Sequence, residues 1–446
     1  MSRAQTMPAL WHAASNRPRA ELRLTSLGGM AMVFIGLLAA TPVNFVGRVY
    51  IGESLLGLAA PATIPLVLSL PGNYGRLAKM FLIAMVISWL GYIGSDLYRG
   101  TPTNDYLRGW FRWVALLSSY STLVWLGAKN VRLVVFFTLG WCLGSALYPI
   151  AAGGGMGVYA WWKFYAGFPA CVIAAYFLGK MGPWIAGPAM LVMGGLSIVL
   201  DSRAIMMTCF VVSGLTLLAG RRAAISVRRG TREDQNLSKS KTVVALITLV
   251  ICGAASMFVV QKIGERFGYA ERFERSNVKR WTNIEIAYSI LKESPIIGYG
   301  SWARDPEVAR IRDKVLESQL KSHIYRSESQ DELVIVHSQL LQSWVEGGLI
   351  GLVFFVVYGW NLAEKGLKLA AVCRYEPLTP LIIFILVTAA WHFFASPFSG
   401  PVRVVIIVAC VLMCYLAEES LPQGALDRQP LRMPPWRRSL ARPASI

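Results

Sequence analysis

Charge is scarce in this chain. Of 446 residues, 15% are Asp, Glu, Lys or Arg, and only four are histidine. An ordinary soluble protein carries about 25% charged residues, so a cytosolic enzyme and a disordered chain are both excluded. The seven cysteines contain no CxxC pair, and all but Cys373 lie inside apolar runs. That argues against a zinc site and a disulfide framework, and leaves them as small buried hydrophobes. No DxD pair occurs, so the sequence offers no obvious carboxylate clamp for a divalent ion. Alternating strand patterns are missing too, which leaves no signal for a membrane β-barrel.

What the chain does hold is apolar residues, 55% of the total. A bilayer core of ~30 Å needs about 20 mostly apolar residues per helix. On that measure the chain offers twelve runs: 26–46, 51–70, 78–97, 110–128, 131–150, 160–179, 184–201, 203–220, 242–260, 347–363, 378–396 and 401–417. Each is expected to be helical, because lipid offers backbone amides no partner. Tryptophans such as Trp110, Trp113, Trp161, Trp162 and Trp184 sit at run ends, where an aromatic belt forms. The expected fold is an all-α integral membrane protein of about 12 transmembrane helices with a large helical external loop. The boundaries are a tail at 1–25, nine spans in 26–260, the loop at 261–346, three spans in 347–417, and a basic, Pro-rich tail at 418–446 expected to be disordered.

The net charge of +19 suggests nucleic acid until the charges are located. With the N-terminus inside, 24 of the 44 Lys and Arg fall on cytoplasmic segments, thirteen in the long 261–336 stretch, and seven on short outer loops and outer span ends. The positive-inside rule therefore places both termini in the cytoplasm and 261–346 outside. The cluster 221–241 reads as a topology anchor meeting anionic headgroups. No nucleic acid is called for; membrane lipids are.

The external loop departs from the rest. In 271–293, Phe273, Asn277, Arg280, Ile284, Ala287 and Leu291 form one helical face. An arginine on a packing face needs a partner, and Glu274 and Glu285 are within reach. Ser294-Pro295 ends that helix, and the turn Pro295-Ile296-Ile297-Gly298-Tyr299-Gly300 follows. A second helix is expected over 305–322 and a third from near His337 to Gly347-Gly348. Upstream, Asp201-Ser202-Arg203 makes a short return that holds Arg203 at the water boundary.

Ser202-Arg203-Ala204, Arg280-Trp281, the turn at 295–300, His337-Ser338 and Glu346-Gly347-Gly348-Leu349-Ile350-Gly351 together resemble the O-antigen ligase family. The wider superfamily includes O-antigen polymerases and protein O-oligosaccharyltransferases. The similarity is best from about 184 to 365, and the first six runs match by topology only. The resemblance implies a type C glycosyltransferase-like fold in the bacterial inner membrane. It also implies transfer of a glycan from undecaprenyl diphosphate to a sugar hydroxyl of lipid A–core at the periplasmic face, without metal, cofactor or ATP, and with inversion. It maps catalysis to Arg203, Arg280 and His337.

The chemistry suits those residue types. A guanidinium fork binds phosphate bidentately and stays charged, and it favours a transition state in which charge grows on the departing diphosphate. A neutral imidazole can take the acceptor hydroxyl's proton or merely orient that hydroxyl. Lys163 and Arg403, opening outer span ends, are further candidates for diphosphate contacts. Glu53 offers support or pairs with Arg48. Tyr299 and Arg266 are candidate supports, the latter steering anionic lipid or merely solvated. A polymerase and a protein-glycosylating enzyme remain alternatives within the superfamily. A transporter of polyprenyl lipid or solute is an alternative of another class, and the oligomeric state stays open. If arginines alone handle the diphosphate, excess EDTA leaves glycan transfer by the purified protein unchanged; a clear loss of turnover with chelator contradicts the metal-free expectation.

Overall fold

The structure is a computed structural model that describes residues 24–45, 47–151, 157–229, 270–303, 305–320, 336–372 and 375–419, with isolated positions at 247, 258, 262 and 266. The expected span 242–260 and both tails lie outside the described residues.

Helix α1 (Leu27–Leu38) opens on Ser26, whose hydroxyl accepts from Gly29 N at 3.2 Å. The run expected to stay helical to 46 does not. It stops at Leu38, and Pro42–Phe45 (β1) pairs antiparallel with Gly47–Tyr50 (β2). Pro42 has no N–H to continue the helix, and Val43, Phe45, Val49 and Tyr50 suit a strand as well as a bilayer. After the hairpin come α2 (Ile51–Leu68), α3 (Gly72–Arg99), α4 (Thr103–Lys129) and α5 (Val131–Ala151). Gly100, at φ 62°, caps α3 in the left-handed conformation. A short α6 (Val158–Trp161) passes through a π-helical turn, Trp162–Ala166, into α7 (Gly167–Gly179). Then follow α8 (Pro183–Val199) and α9 (Arg203–Arg229).

Beyond them, α10 (Ala270–Glu293) and α11 (Pro306–Leu320) lead to α12 (Gln339–Gly351), α13 (Val353–Val372), α14 (Thr379–Ala395) and α15 (Gly400–Glu419). Among the described residues, α2, α3, α5, α9 and α15 are each long and apolar enough to cross a membrane, and α12 with α13 passes as a bent pair. The helices α1, α8 and α14 are apolar but shorter. Among the described residues the chain is thus a multi-pass, all-α membrane protein apart from the small hairpin.

The run 347–363, expected as one span, is broken. α12 and α13 meet at 116°. Gly348 sits at φ 62°, ψ −160°, and a Cβ there would lie 2.1 Å from the Ile296 carbonyl. The turn 295–300 fills the break: Leu349 N donates to Ile296 O at 3.0 Å, Tyr299 N to Val345 O at 2.8 Å and Gly300 N to Glu346 O at 3.0 Å. Irregular backbone survives at this depth because protein groups satisfy it.

The main core runs through the bundle, with Trp113, Tyr92, Phe81, Phe354, Phe355 and Phe398 fully buried. A second, smaller core lies under the loop and joins Ile286, Ala287, Ile290 and Leu291 of α10 to Tyr299, Val308 and Val345. The buried face of α10 is therefore shifted from the expected stripe: Ile284 is exposed, while Ile286 and Ile290 are inside.

Small residues let α1 and α5 touch. A Cβ on Gly140 would sit 1.9 Å from Val33 O, and one on Gly36 2.0 Å from Phe137 O. Close backbone approach of this kind drives helix packing in lipid, where the hydrophobic effect between helices is absent. Gly140→Leu is therefore expected to cost about 1–3 kcal/mol and to lower the melting temperature in detergent. Gly94→Ala, where an added Cβ meets nothing within 4 Å, is the control that leaves melting unchanged.

Candidate active site

Arg280 and His337 share one cleft. Its volume is about 220 Å³, and its lining includes Trp281, Ile284, Ser338 and Phe394. Three elements build it: α10, the start of α12 and the end of α14. Arg280 lies half-buried on α10, with its guanidinium carbon 5.3 Å from the ring centroid of Trp391. Among the described residues no carboxylate pairs with it; the expected partner is an aromatic face instead. Burial lowers its pKa from the ordinary value, yet a guanidinium stays a cation at neutral pH.

His337 stands just before α12, at the rim. Ser338 fixes it there. The Ser338 hydroxyl caps Leu341 N at 3.4 Å and donates to the Phe393 carbonyl at 3.2 Å, and Val336 on the other side is buried. Burial, and then the neighbouring Arg280 charge, hold the imidazole pKa below 6.5. The ring is therefore neutral at pH 7 and able to accept a proton.

The second cationic group lies at the π turn. Lys163 Nζ meets Asp201 Oδ2 at 3.1 Å. Asp201, buried and at φ 54°, makes the return into α9, with Ser202 N bonded to Ser197 O at 2.7 Å. Arg203 is the first residue of α9, two residues from Asp201. Lys163 and Arg203 thus share one corner, and neither lines the Arg280–His337 cleft. π turns recur at functional positions.

Arg403 is engaged elsewhere. Its Nη2 and Nε reach both oxygens of Glu53 at 2.6 and 3.1 Å, with 6% and 1% of the side chains exposed. Glu53, expected to support the site or pair with Arg48, pairs with Arg403 instead, and Arg48 lies exposed in the hairpin. Tyr299 is buried under Arg99, 4.2 Å from ring centroid to guanidinium carbon, and its hydroxyl donates to Glu307 at 3.3 Å. Burial, with Glu307, raises its pKa to about 12, so it serves the loop as a neutral phenol. Arg266 is exposed.

Sequence reasoning missed the frame around the cleft. Arg112, with only 3% of its side chain exposed, forms a short ion pair with Glu346 and donates to Phe398 O at 3.2 Å. Gln342 closes the ring: its Nε2 donates to Glu346 Oε1 at 2.7 Å, and its Oε1 accepts from Phe398 N at 2.6 Å. Tyr92, Trp302 and Phe398 surround the guanidinium at 5.6, 5.1 and 4.9 Å. Asp96 takes Ser301 N, Ser301 Oγ and Trp110 Nε1 at 2.5, 2.8 and 2.8 Å, while Arg99 binds Gly298 O and Ser294 Oγ at 2.9 and 2.7 Å. Glu346 stands in a motif the sequence shows. Its partner lies 234 residues away, which no spacing reveals. Among the described residues, no three His, Cys, Asp or Glu gather as a metal site.

Residues 188–356 match the family model described as O-antigen ligase. This segment is similar to the O-antigen ligase family. The O-antigen ligase match spans Arg203, Arg280, Tyr299, His337 and Glu346, and leaves out Glu53, Lys163 and Arg403. No curated protein matches the chain.

The depressed imidazole pKa has a sign. The base form is lost as pH falls through the lowered value, so the acid limb of kcat/KM for glycan transfer is expected below pH 6.5. Arg280→Gln removes a charge that holds the pKa down, so the limb of its residual activity moves up. It does not pass the ordinary value, because the burial remains. A limb unmoved in this variant would separate Arg280 from His337 electrostatically.

Proposed function

We propose that this protein is an O-antigen ligase. It moves a glycan from undecaprenyl diphosphate to a sugar hydroxyl of lipid A–core, at the periplasmic face of the bacterial inner membrane. One observation carries the reading: an arginine that has no carboxylate partner among the described residues and a neutral histidine line the same cleft, inside a segment matched by the family. The active side faces the periplasm, both termini are cytoplasmic, and about twelve spans cross the bilayer. Charge distribution and family resemblance support that arrangement.

The donor is already activated, so the protein must hold charge and aim a hydroxyl. In one displacement the acceptor oxygen bonds to the anomeric carbon while the bond from that carbon to the diphosphate oxygen breaks. The electron pair leaves with the diphosphate, where Arg280 meets the developing charge. The family resemblance assigns Arg203 to the diphosphate as well, although it does not line the Arg280–His337 cleft. His337 receives the acceptor proton. A single displacement inverts the anomeric centre. Trp391 keeps the Arg280 guanidinium in place without neutralising it, as a carboxylate would. Metal and nucleotide have no part in the step.

Purified protein given undecaprenyl diphosphate-linked glycan and lipid A–core should form the joined product without ATP. His337→Ala should cut the rate about 10²–10⁴-fold, the usual share of a general base, with folding and membrane insertion intact. Arg280→Lys should lose about 10²-fold, because a point charge cannot replace the fork. Product growth on a second lipid-linked glycan would indicate a polymerase, and near-wild-type transfer by His337→Ala would remove the histidine from the mechanism.

A further inference from the structure

At the opposite end of α3 from the cleft lies a groove of about 570 Å³ between α3 and α13. It has two zones. Arg76 and Lys79 sit toward the start of α3, and Met80, Ile83, Ile87 and Val357 continue along the outer face away from that end. The positions 76, 80, 83 and 87 follow one helical stripe, and all four side chains are exposed.

The charge here is unbalanced. The first turn of α3 holds no acidic residue, so two cations stand near a helix end that is itself positive. Among the described residues neither cation has a carboxylate partner, and no acid lines the groove. An anion is the missing complement. The stripe from Arg76 to Ile87 rises about 16 Å, roughly half of a ~30 Å hydrocarbon layer. That is the depth of one leaflet's acyl chains. A protein partner or a free anion would leave one of the two zones unused.

We propose that this groove is a binding site for an anionic phospholipid of the leaflet on that side. The phosphate lies against Arg76 and Lys79, and an acyl chain runs along Met80, Ile83 and Ile87. Basic pockets between membrane helices take such headgroups. The site is separate from donor binding, since Lys79 lies about 30 Å along α3 from Arg99, whose side chain holds the turn at 298. On the topology above, the leaflet is the cytoplasmic one; the binding itself does not depend on the glycan-transfer reading.

Native mass spectrometry tests it. Full-length protein in detergent is given phosphatidylglycerol or phosphatidylcholine of matched chains. Wild type should retain phosphatidylglycerol in preference. Arg76→Ala with Lys79→Ala should bind phosphatidylglycerol ~30-fold more weakly, about fivefold per cation, with phosphatidylcholine unchanged. Ile83→Trp, which narrows the groove and keeps both cations, should reduce retention of both lipids. Lys129→Ala with Arg132→Ala, at the same end but outside the groove, should change nothing. Equal retention by the first double variant, equal loss in the second, or displacement of the lipid by inorganic phosphate would each overturn the proposal. If the first double variant melts early, Arg76→Gln with Lys79→Gln takes its place, and phosphatidylglycerol retention equal to wild type in it overturns the proposal.

Discussion

The site depends on one buried ion pair. Arg112 and Glu346 are both withdrawn from water, and neither could remain so unpaired, since an isolated charge in an apolar interior costs many kcal/mol. Each therefore holds the other's helix in place. Because α12 carries Glu346 and begins two residues after His337, the pair ties the end of the loop to α4 in the bundle. Gln342 and the Phe398 backbone extend the tie to the junction of α14 and α15. The cleft walls contributed by α12 and α14 thus rest on a common anchor.

The same logic separates the arginines into two kinds. Arg112 and Arg403 have carboxylate partners deep in the protein, and their charges are consumed in holding structure. Arg280 leans on an indole and keeps its charge outward-facing in electrostatic terms. Only the second kind has attraction left for an anionic substrate. Lys163 occupies a middle position: it is paired with Asp201, yet about a third of its side chain is exposed.

Much of this was legible in the sequence. The apolar runs located the helices, because a bilayer imposes length and polarity on each. Arg280 stood out because the loop around it is amphipathic and mixed in charge, so an arginine in a packing stripe was anomalous; His337 was marked by the family resemblance. The hairpin at 42–50 was not legible, since valine, phenylalanine and tyrosine serve a strand and a bilayer helix alike. Nor was the break at Gly348. A Gly-Gly pair announces freedom, but the geometry is set by carbonyl and amide groups from residues 296–300. The Arg112–Glu346 pair was hidden for a related reason: each partner looked like a boundary charge, and the contact exists only once the chain is folded.

The bend between α12 and α13 has a consequence for how this region can change. At 116° the short helix no longer follows its neighbour's axis, and its stretch from Gln339 to the non-helical Gly348 acts as a spacer of about 13 Å between the break and the histidine. Losing or gaining a single residue between His337 and Gln342 would turn the histidine by about 100° and carry it off the cleft rim, while Gln342 and Glu346 stayed put. Length, more than side-chain identity, is therefore the property this stretch can least vary, and natural drift there should proceed by substitution and hardly ever by insertion or deletion.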